Sequence, residues 1–311
     1  MSEEGPGRRG APGGWLRLVR LPNLFTVPGD PLFGFLAGGG DLADPRLPWL
    51  AGAVLLLYVF GLIDNDLCDL ATDRVERPER PLPSGRVTVA AAEMARWGCA
   101  LGGLAAAAAV GPSPLAAATL LLILAAAYNR FKHYPPLGPA LIGLCRVLAV
   151  AVGLIASPLK VINPLLLSVV PMVWFFYIYG VGTAAAGEAR AGRVRGRGIL
   201  ALTPIVWLVF VIGSTAPEYR VVGLAPGLLL GYAAAGLAVF QGVRAWFMLR
   251  GTPAPERVQG AIGSLVAGMV FLQASGCALA GSPHSGMHAA AIIVLLLWLP
   301  ARWLGRWIPG S

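Results

Sequence analysis

The sequence predicts an all-α integral membrane protein, a bundle of nine to ten transmembrane helices, on three observations. First, mean hydropathy is +0.71 and only 13% of the 311 residues are charged, far less polar surface than a soluble domain of this size needs to cover itself. Second, apolar runs of about 20 residues, each long enough as a helix to cross a ~30 Å hydrocarbon layer, alternate with short polar loops. Third, Lys and Arg are distributed unevenly across those loops. Spanning strands are excluded, because a barrel shows short segments of alternating polarity and not continuous apolar runs.

Ten runs can be marked, over 15–38, 47–66, 88–111, 114–130, 137–157, 163–186, 198–216, 222–246, 259–281 and 287–305. Residues 1–14, rich in Gly, Pro and Arg, read as a disordered cytoplasmic tail, and 15–311 as a single transmembrane domain. The first run is too long for a removable signal peptide and lacks a cleavage-type flank. Near its middle stands VPGDP, with Asp30 between Pro28 and Pro31. The prolines should kink or break the helix and free backbone carbonyls that a wet cavity or a neighbouring helix must satisfy. Asp30 is then either a pocket-lining acceptor or base, or a buried neutral carboxyl that stabilises the kink. The fifth run carries Arg146 about nine residues in, and a charge at that depth faces a cavity or a partner. The last run follows a Gly/Pro/Ser segment holding His284 and is set apart from the rest, hence nine to ten spans.

Of the 24 Lys and Arg residues, twenty fall on the side of the N-terminus and only Arg46, Lys160 and Arg220 on the other, with Arg146 left inside a span. By the positive-inside rule this places both termini in the cytoplasm of a multi-pass protein of the cell (inner) membrane. The net charge of +9 therefore reports topology and not a nucleic-acid partner. Cys99, Cys145 and Cys277 fall in three different runs and Cys68 on the helical continuation of the second, without CxxC spacing, which argues against a disulfide framework. His284 and His288 have helical i, i+4 spacing but no third ligand nearby.

Six of the fifteen acidic residues lie in DNDLCDLATDRVERPERPLPSG, Asp64 to Gly85. Asp66, Asp69 and Asp73 are spaced i, i+3, i+7 and share one helical face, bordered by Asn65. Three carboxylates on one face repel, so either water screens them or a cation sits among them. One or two carboxylates, with water and phosphate completing the shell, are how Mg²⁺ is normally held. Beside arginine forks such an ion makes a diphosphate site. Pro78, Pro81 and Pro83 then turn the chain into a short cap that folds Arg77 and Arg80 back toward the carboxylates.

The pattern Asn65-Asp66-x-x-Asp69-x-x-x-Asp73, followed by Arg77-Pro78-x-Arg80-Pro81-Leu82-Pro83-Ser84-Gly85, resembles the first aspartate motif of the UbiA superfamily of intramembrane prenyltransferases. The resemblance extends to an Arg-Leu-Pro-Asn element from Arg20 to Asn23, a Tyr-Asn-x-x-Lys element (Tyr128, Asn129, Lys132) and a Gly-x-x-Arg (Gly143, Arg146). It implies a helical bundle around a central cavity whose polar cap binds a Mg²⁺-prenyl diphosphate and whose apolar body holds the isoprenoid tail. Carried over to this chain, Asn65, Asp66, Asp69 and Asp73 are the catalytic residues and the three aspartates the metal ligands. Arg77, Arg80, Lys132, Arg146 and Tyr128 bind the diphosphate. Asn23 and Asp30 are candidates for the acceptor pocket. The implied partners are a prenyl diphosphate, a small aromatic or hydroxylated acceptor and the lipid bilayer.

The superfamily usually has a second Asp-rich motif, near DxxxD, at the cytoplasmic end of its sixth helix. Here that stretch reads YIYGVGTAAAGEARAGR, Tyr177 to Arg193, with Glu188 as its one acid. Glu188 and Arg190 are the candidates for a reduced second site. Three readings stay open: one Mg²⁺ with cations in place of the second, a different phosphorylated lipid, or a non-catalytic carrier or transporter that keeps the fold. The reduced motif also resembles the EboC-type UbiA-like proteins of bacterial ebo operons. A CDP-alcohol phosphotransferase, another membrane family with Asp-rich Mg²⁺ motifs, would need a DGxxAR element, which the sequence lacks.

Overall fold

Helices account for every regular element that a computed structural model describes, over residues 12–158, 164–188, 197–215, 226–251, 253–279 and 287–305. In chain order they are α1 (Pro12–Leu18), α2 (Leu21–Leu24), α3 (Gly29–Ala37), α4 (Arg46–Cys68), α5 (Leu70–Glu76), α6 (Val89–Val110), α7 (Pro112–Phe131), α8 (Leu137–Ala156) and α9 (Pro164–Glu188). After a 3-10 turn (Arg197–Leu202) come α10 (Thr203–Thr215), α11 (Pro226–Met248), α12 (Pro255–Leu279) and α13 (Met287–Leu304). Among the described residues six helices (α4, α7, α8, α9, α11 and α12) contain segments long and apolar enough to cross a membrane, with shorter apolar helices at 199–213 and 288–304. The 22-residue α6 is long enough too, but it is rich in Ala and Gly and opens with Glu93 and Arg96. Among the described residues, length and composition thus identify six of the nine to ten expected spans.

The largest departure is at the start. The single span expected over 15–38 is three short helices, and α1 already begins inside the stretch expected as a tail. Arg20 adopts a left-handed conformation (φ 46°) between α1 and α2. Pro22 follows it, Thr26 Oγ1 donates to the Asn23 carbonyl at 2.8 Å, and Pro28 precedes α3. Proline removes amide donors, so the side chain of Thr26 and a buried polar network take up what the broken helix leaves open.

The aspartate-rich helix runs on as expected. Cys68 ends α4, Asp69 bridges with near-helical dihedrals (φ −87°, ψ −4°), and α5 continues from Leu70. Beyond it the Pro-rich segment is pinned by Ser84 Oγ donating to the Arg80 carbonyl at 2.6 Å and by Val87 N donating to Pro81 O at 3.1 Å. Gly85 supplies the positive φ of 72° that the turn needs. Leu18, Ile63, Leu82, Val87 and Ala92 form a small core under this segment, which fastens α1, the end of α4, the cap and the start of α6 to one another. Thr88 caps α6, its hydroxyl accepting from Ala91 N at 3.2 Å.

Two larger cores fill the bundle. One, on α3, α9, α10, α11, α12 and α13, stacks Phe33 on Trp174 at 5.1 Å and Trp174 edge-on to Trp207 at 5.5 Å. The other joins α4 to α6, α7 and α8 through Leu50, Leu57, Leu121 and Val152. Between them α3 and α8 meet backbone to backbone: a Cβ on Gly34 would stand 2.0 Å from the Val150 carbonyl, and one on Gly153 only 1.9 Å from that of Pro31. Without a hydrophobic drive between helices in lipid, such small-residue contacts are what packs them. Gly153→Val should therefore lower the melting temperature of the detergent-purified protein strongly, by the backbone shift that overpacking forces. Gly52→Ala, where an added Cβ meets nothing within 4 Å, should leave it unchanged.

Candidate active site at the mouth of an intramembrane cavity

A cavity of about 250 Å³ lies between the segment around α2, the helices α4, α7, α8 and α9, and α12. The face of α4 that forms its wall repeats at helical spacing through Val54, Leu57, Tyr58, Gly61, Leu62 and Asn65. Leu121, Ala125, Tyr128 and Asn129 do the same on α7. Both stripes run from apolar residues to polar ones, so the cavity has an oily body and a polar mouth formed by Arg20, Asn23, Asn65, Tyr128 and Asn129.

At that mouth every carboxylate is matched by a cation. Lys132 Nζ donates to Asn65 Oδ1 at 2.7 Å and also pairs with Asp69 Oδ2. Asn65 Nδ2 in turn reaches Asp66 Oδ1 at 3.3 Å and Asp69 Oδ2 at 3.4 Å. Arg20 Nη2 lies 3.7 Å from Asp66 Oδ1. Arg80, buried in the cap, pairs with Asp73 at 2.7 Å. On the far side of α4 the fully buried Asp64 receives Arg96 Nη1 at 2.7 Å, Asn129 Nδ2 at 2.8 Å and Arg130 Nη1 at 3.4 Å. Asp64 thus ties α4 to α6 and α7 and fixes Asn129 in the wall.

This corrects the picture of three converging carboxylates. Among the described residues no group of three or more His, Cys, Asp or Glu side chains is placed to hold a metal. One face of a helix is wide enough for Asp66, Asp69 and Asp73 to turn to three different partners. The donor set at the mouth nevertheless fits Mg²⁺. Asn65 and Asp69 already share one cation, the Lys132 ammonium, between hard oxygens, with Asp66 linked to them through the Asn65 amide. One or two carboxylates and an amide oxygen at the polar mouth of a cavity are the kind of ligands Mg²⁺ takes when water and phosphate complete its shell.

The other expected residues divide. Arg80 folds back as expected, but onto Asp73; Arg77 stays exposed on the cap and makes no ion pair among the described residues. Tyr128 and Asn23 line the cavity. Arg146 lines it too, yet its Nε lies 2.8 Å from Asp30 Oδ2 and its Nη2 donates to the Thr26 carbonyl at 2.9 Å. Asp30 itself is fully buried behind Arg146 and is not part of the cavity wall; Oδ1 accepts from Trp174 Nε1 at 3.0 Å and Gln273 Nε2 at 2.7 Å. Asp30 is thus buried at the helix break and outside the cavity lining, but paired with the Arg146 guanidinium and not a lone neutral carboxyl. Glu188 closes α9, but its side chain and the whole of Arg190 lie outside the described residues, as does His284.

Sequence reasoning passed over Arg20, Tyr58, Asp64 and Gln273 as site residues. Arg20 carried a signal, since it opens the Arg-Leu-Pro-Asn element; its left-handed backbone, rare for a non-glycine residue, is the strain that functional positions store. Asp64 stood beside the motif, but a one-residue step on a helix is a 100° turn, and only the neighbours of α4 show what it faces.

The model of the UbiA prenyltransferase family matches residues 25–259 of the sequence. The chain belongs to this family. A UbiA homologue from Aeropyrum pernix K1 superposes with a TM-score of 0.64 at 18% identity, covering 83% of this chain and 97% of that one. One from Archaeoglobus fulgidus, bound to GPP and Mg²⁺, gives 0.59 at 16% identity over 94% of this chain and 99% of that one. Both likenesses are of UbiA fold. In sequence the chain is 33% identical over 125 residues to the digeranylgeranylglyceryl phosphate synthase of Methanoculleus marisnigri, covering 40% of this chain and 44% of the relative. With that of Methanopyrus kandleri it shares 37% over 151 residues, covering 46% and 55%. The chain thus spans about half the length of the curated relatives it matches. A UbiA family chain with six long apolar helices is a multi-pass membrane protein.

Proposed function

We propose that this protein is a Mg²⁺-dependent intramembrane prenyltransferase that moves an isoprenyl group from a prenyl diphosphate to the hydroxyl of an acceptor. The observation that carries the reading is the cation-holding mouth of Asn65, Asp69 and Lys132 above an apolar cavity within the bundle. That the Archaeoglobus fulgidus homologue binds GPP and Mg²⁺ supports the metal. The glyceryl phosphate in the names of the similar synthases favours a hydroxylated acceptor over an aromatic one.

In this reading Asn65, Asp66 and Asp69 hold the metal, which when bound neutralises charge on the departing diphosphate. Arg20, Lys132 and Tyr128 hydrogen-bond its outer oxygens. Arg80 braces Asp73, and so keeps the cap closed over the site, whereas Arg77 meets the diphosphate only as it arrives from the surface. Leu57, Leu121 and Met269 keep water from the allylic carbon as its C–O bond breaks. The acceptor oxygen then bonds to that carbon, and its proton leaves with the diphosphate. The Lys and Arg asymmetry supports an orientation with the mouth and both termini on the cytoplasmic side.

A second reading, a carrier that binds an isoprenoid phosphate without turnover, rests on Glu188 being the one acid where the family usually has a second motif. The two are separated by assaying diphosphate release from geranyl, farnesyl and geranylgeranyl diphosphate with Mg²⁺, with and without a glyceryl ether phosphate or an aromatic acid. Release that depends on the glyceryl compound is the expected result. Saturable binding of the diphosphates with no release under any condition would establish the carrier instead.

A further inference from the structure

Halfway down the cavity the wall turns polar again, for a reason the prenyl diphosphate does not supply. Tyr58 lies seven residues before Asn65 on α4, about 10 Å below the mouth at 1.5 Å per residue. Arg146 lies nine residues after Leu137 on α8, about 13 Å in from the same side. Both line the cavity, among Leu57, Ala149 and Met269. Arg146 has Asp30 and the Thr26 carbonyl as partners, but an isoprenyl tail is hydrocarbon throughout, so a Tyr58 hydroxyl facing a tail would stand unpaired in a dry site, which is costly.

The two kinds of tyrosine in the bundle make the point. Tyr177, packed in the core, donates its hydroxyl to the Leu265 carbonyl at 2.6 Å. Tyr58 has a half-buried ring on the cavity wall, and its hydroxyl makes no hydrogen bond among the described residues. A phenol inside a membrane protein normally finds a partner, and Tyr58 lines the cavity. The level is also neutral. Asp30 balances Arg146 at 2.8 Å, so an anionic group would find no uncompensated charge there, whereas a hydroxyl finds a donor and an acceptor.

We infer that Tyr58, beside Arg146, is the binding level for the acceptor's hydroxyl. Tyr58 hydrogen-bonds this hydroxyl and turns its oxygen toward the first carbon of the chain, while Asn65, Asp69 and Lys132 keep the diphosphate at the mouth. This rests on the prenyltransferase reading and deepens it, by naming the chemistry the acceptor must bring and where it is read.

The test uses binding, so that turnover is not needed. Two probes are titrated into the full-length protein in detergent, a monoalkyl glycerol phosphate ether and its analogue lacking the free hydroxyl, together with farnesyl thiodiphosphate and Mg²⁺ as the donor analogue. Wild type should bind the hydroxylated probe about tenfold more tightly than the deoxy one, the worth of one hydrogen bond. In Tyr58→Phe, which keeps the ring and the melting temperature, that ratio should fall to about one with farnesyl thiodiphosphate binding unchanged. A ratio that survives in Tyr58→Phe, a wild type that does not distinguish the probes, or an equal loss of donor binding overturns the inference. A Tyr58-dependent ratio without any binding of farnesyl thiodiphosphate leaves the hydroxyl site standing and removes the prenyltransferase reading.

Discussion

Asp69→Ala is expected to lower acceptor-dependent diphosphate release by about 10²–10³-fold, the usual cost of removing one preorganised charge from a site that stabilises a leaving group. Asp69 is the one carboxylate that shares a cation with Asn65 at the cavity mouth. Its loss also frees the Lys132 ammonium from the geometry that aims it at the diphosphate. The side chain is partly exposed (19%) and belongs to no core, so melting temperature should hardly move. Arg77→Ala serves as the contrast: exposed and outside the ion pairs of the mouth, it should change release by no more than a few-fold. Undiminished release in Asp69→Ala would remove the metal role from this part of the helix. Equal losses in both variants would mean that the cap, and not the α4–α7 mouth, holds the diphosphate.

Arg146→Met should cost about 3–5 kcal/mol of stability, because it strands a buried charge. Asp30 is 0% exposed and Arg146 12%. Trp174 and Gln273, which donate to Asp30, are neutral and cannot replace the guanidinium. Gln273 also bonds the Thr26 carbonyl at 2.8 Å, so the network joins α3, α8, α9 and α12 at the point where the first span is broken. Asp30→Asn combined with Arg146→Gln should regain much of the loss, since both partners become neutral together. The measurement is a thermal-melt double-mutant cycle in detergent; additive losses would show that the pair is not coupled and that packing alone holds α3 against α8.

How much of this was legible depended on range. The aspartate spacing, the Pro-rich turn and the continuation past Asn65 are local: a 3.6-residue period and proline's missing donor determine them wherever the chain lies. The break at Asp30 was legible for the same reason, though not that Arg20 would take a left-handed backbone and make three helices of one run. Partner choice was not legible. Lys132 lies 63 residues from Asp69, Arg96 lies 32 from Asp64, and Gln273 lies 243 from Asp30. No periodicity relates residues so far apart.

The sequence by itself determined that this chain is a helical membrane protein, and it placed the acidic motif and its basic neighbours at one end of the aspartate-rich helix, because hydropathy and helical spacing are properties of short segments. Which cation each acid of the motif meets, that Asp30 is an anchor and not a wall residue, and that a tyrosine lines the cavity below the mouth were decided by tertiary structure alone. The physical reason is that burial and charge pairing belong to surfaces made when α3, α4, α7, α8 and α12 pack, and those surfaces do not exist in any one of them.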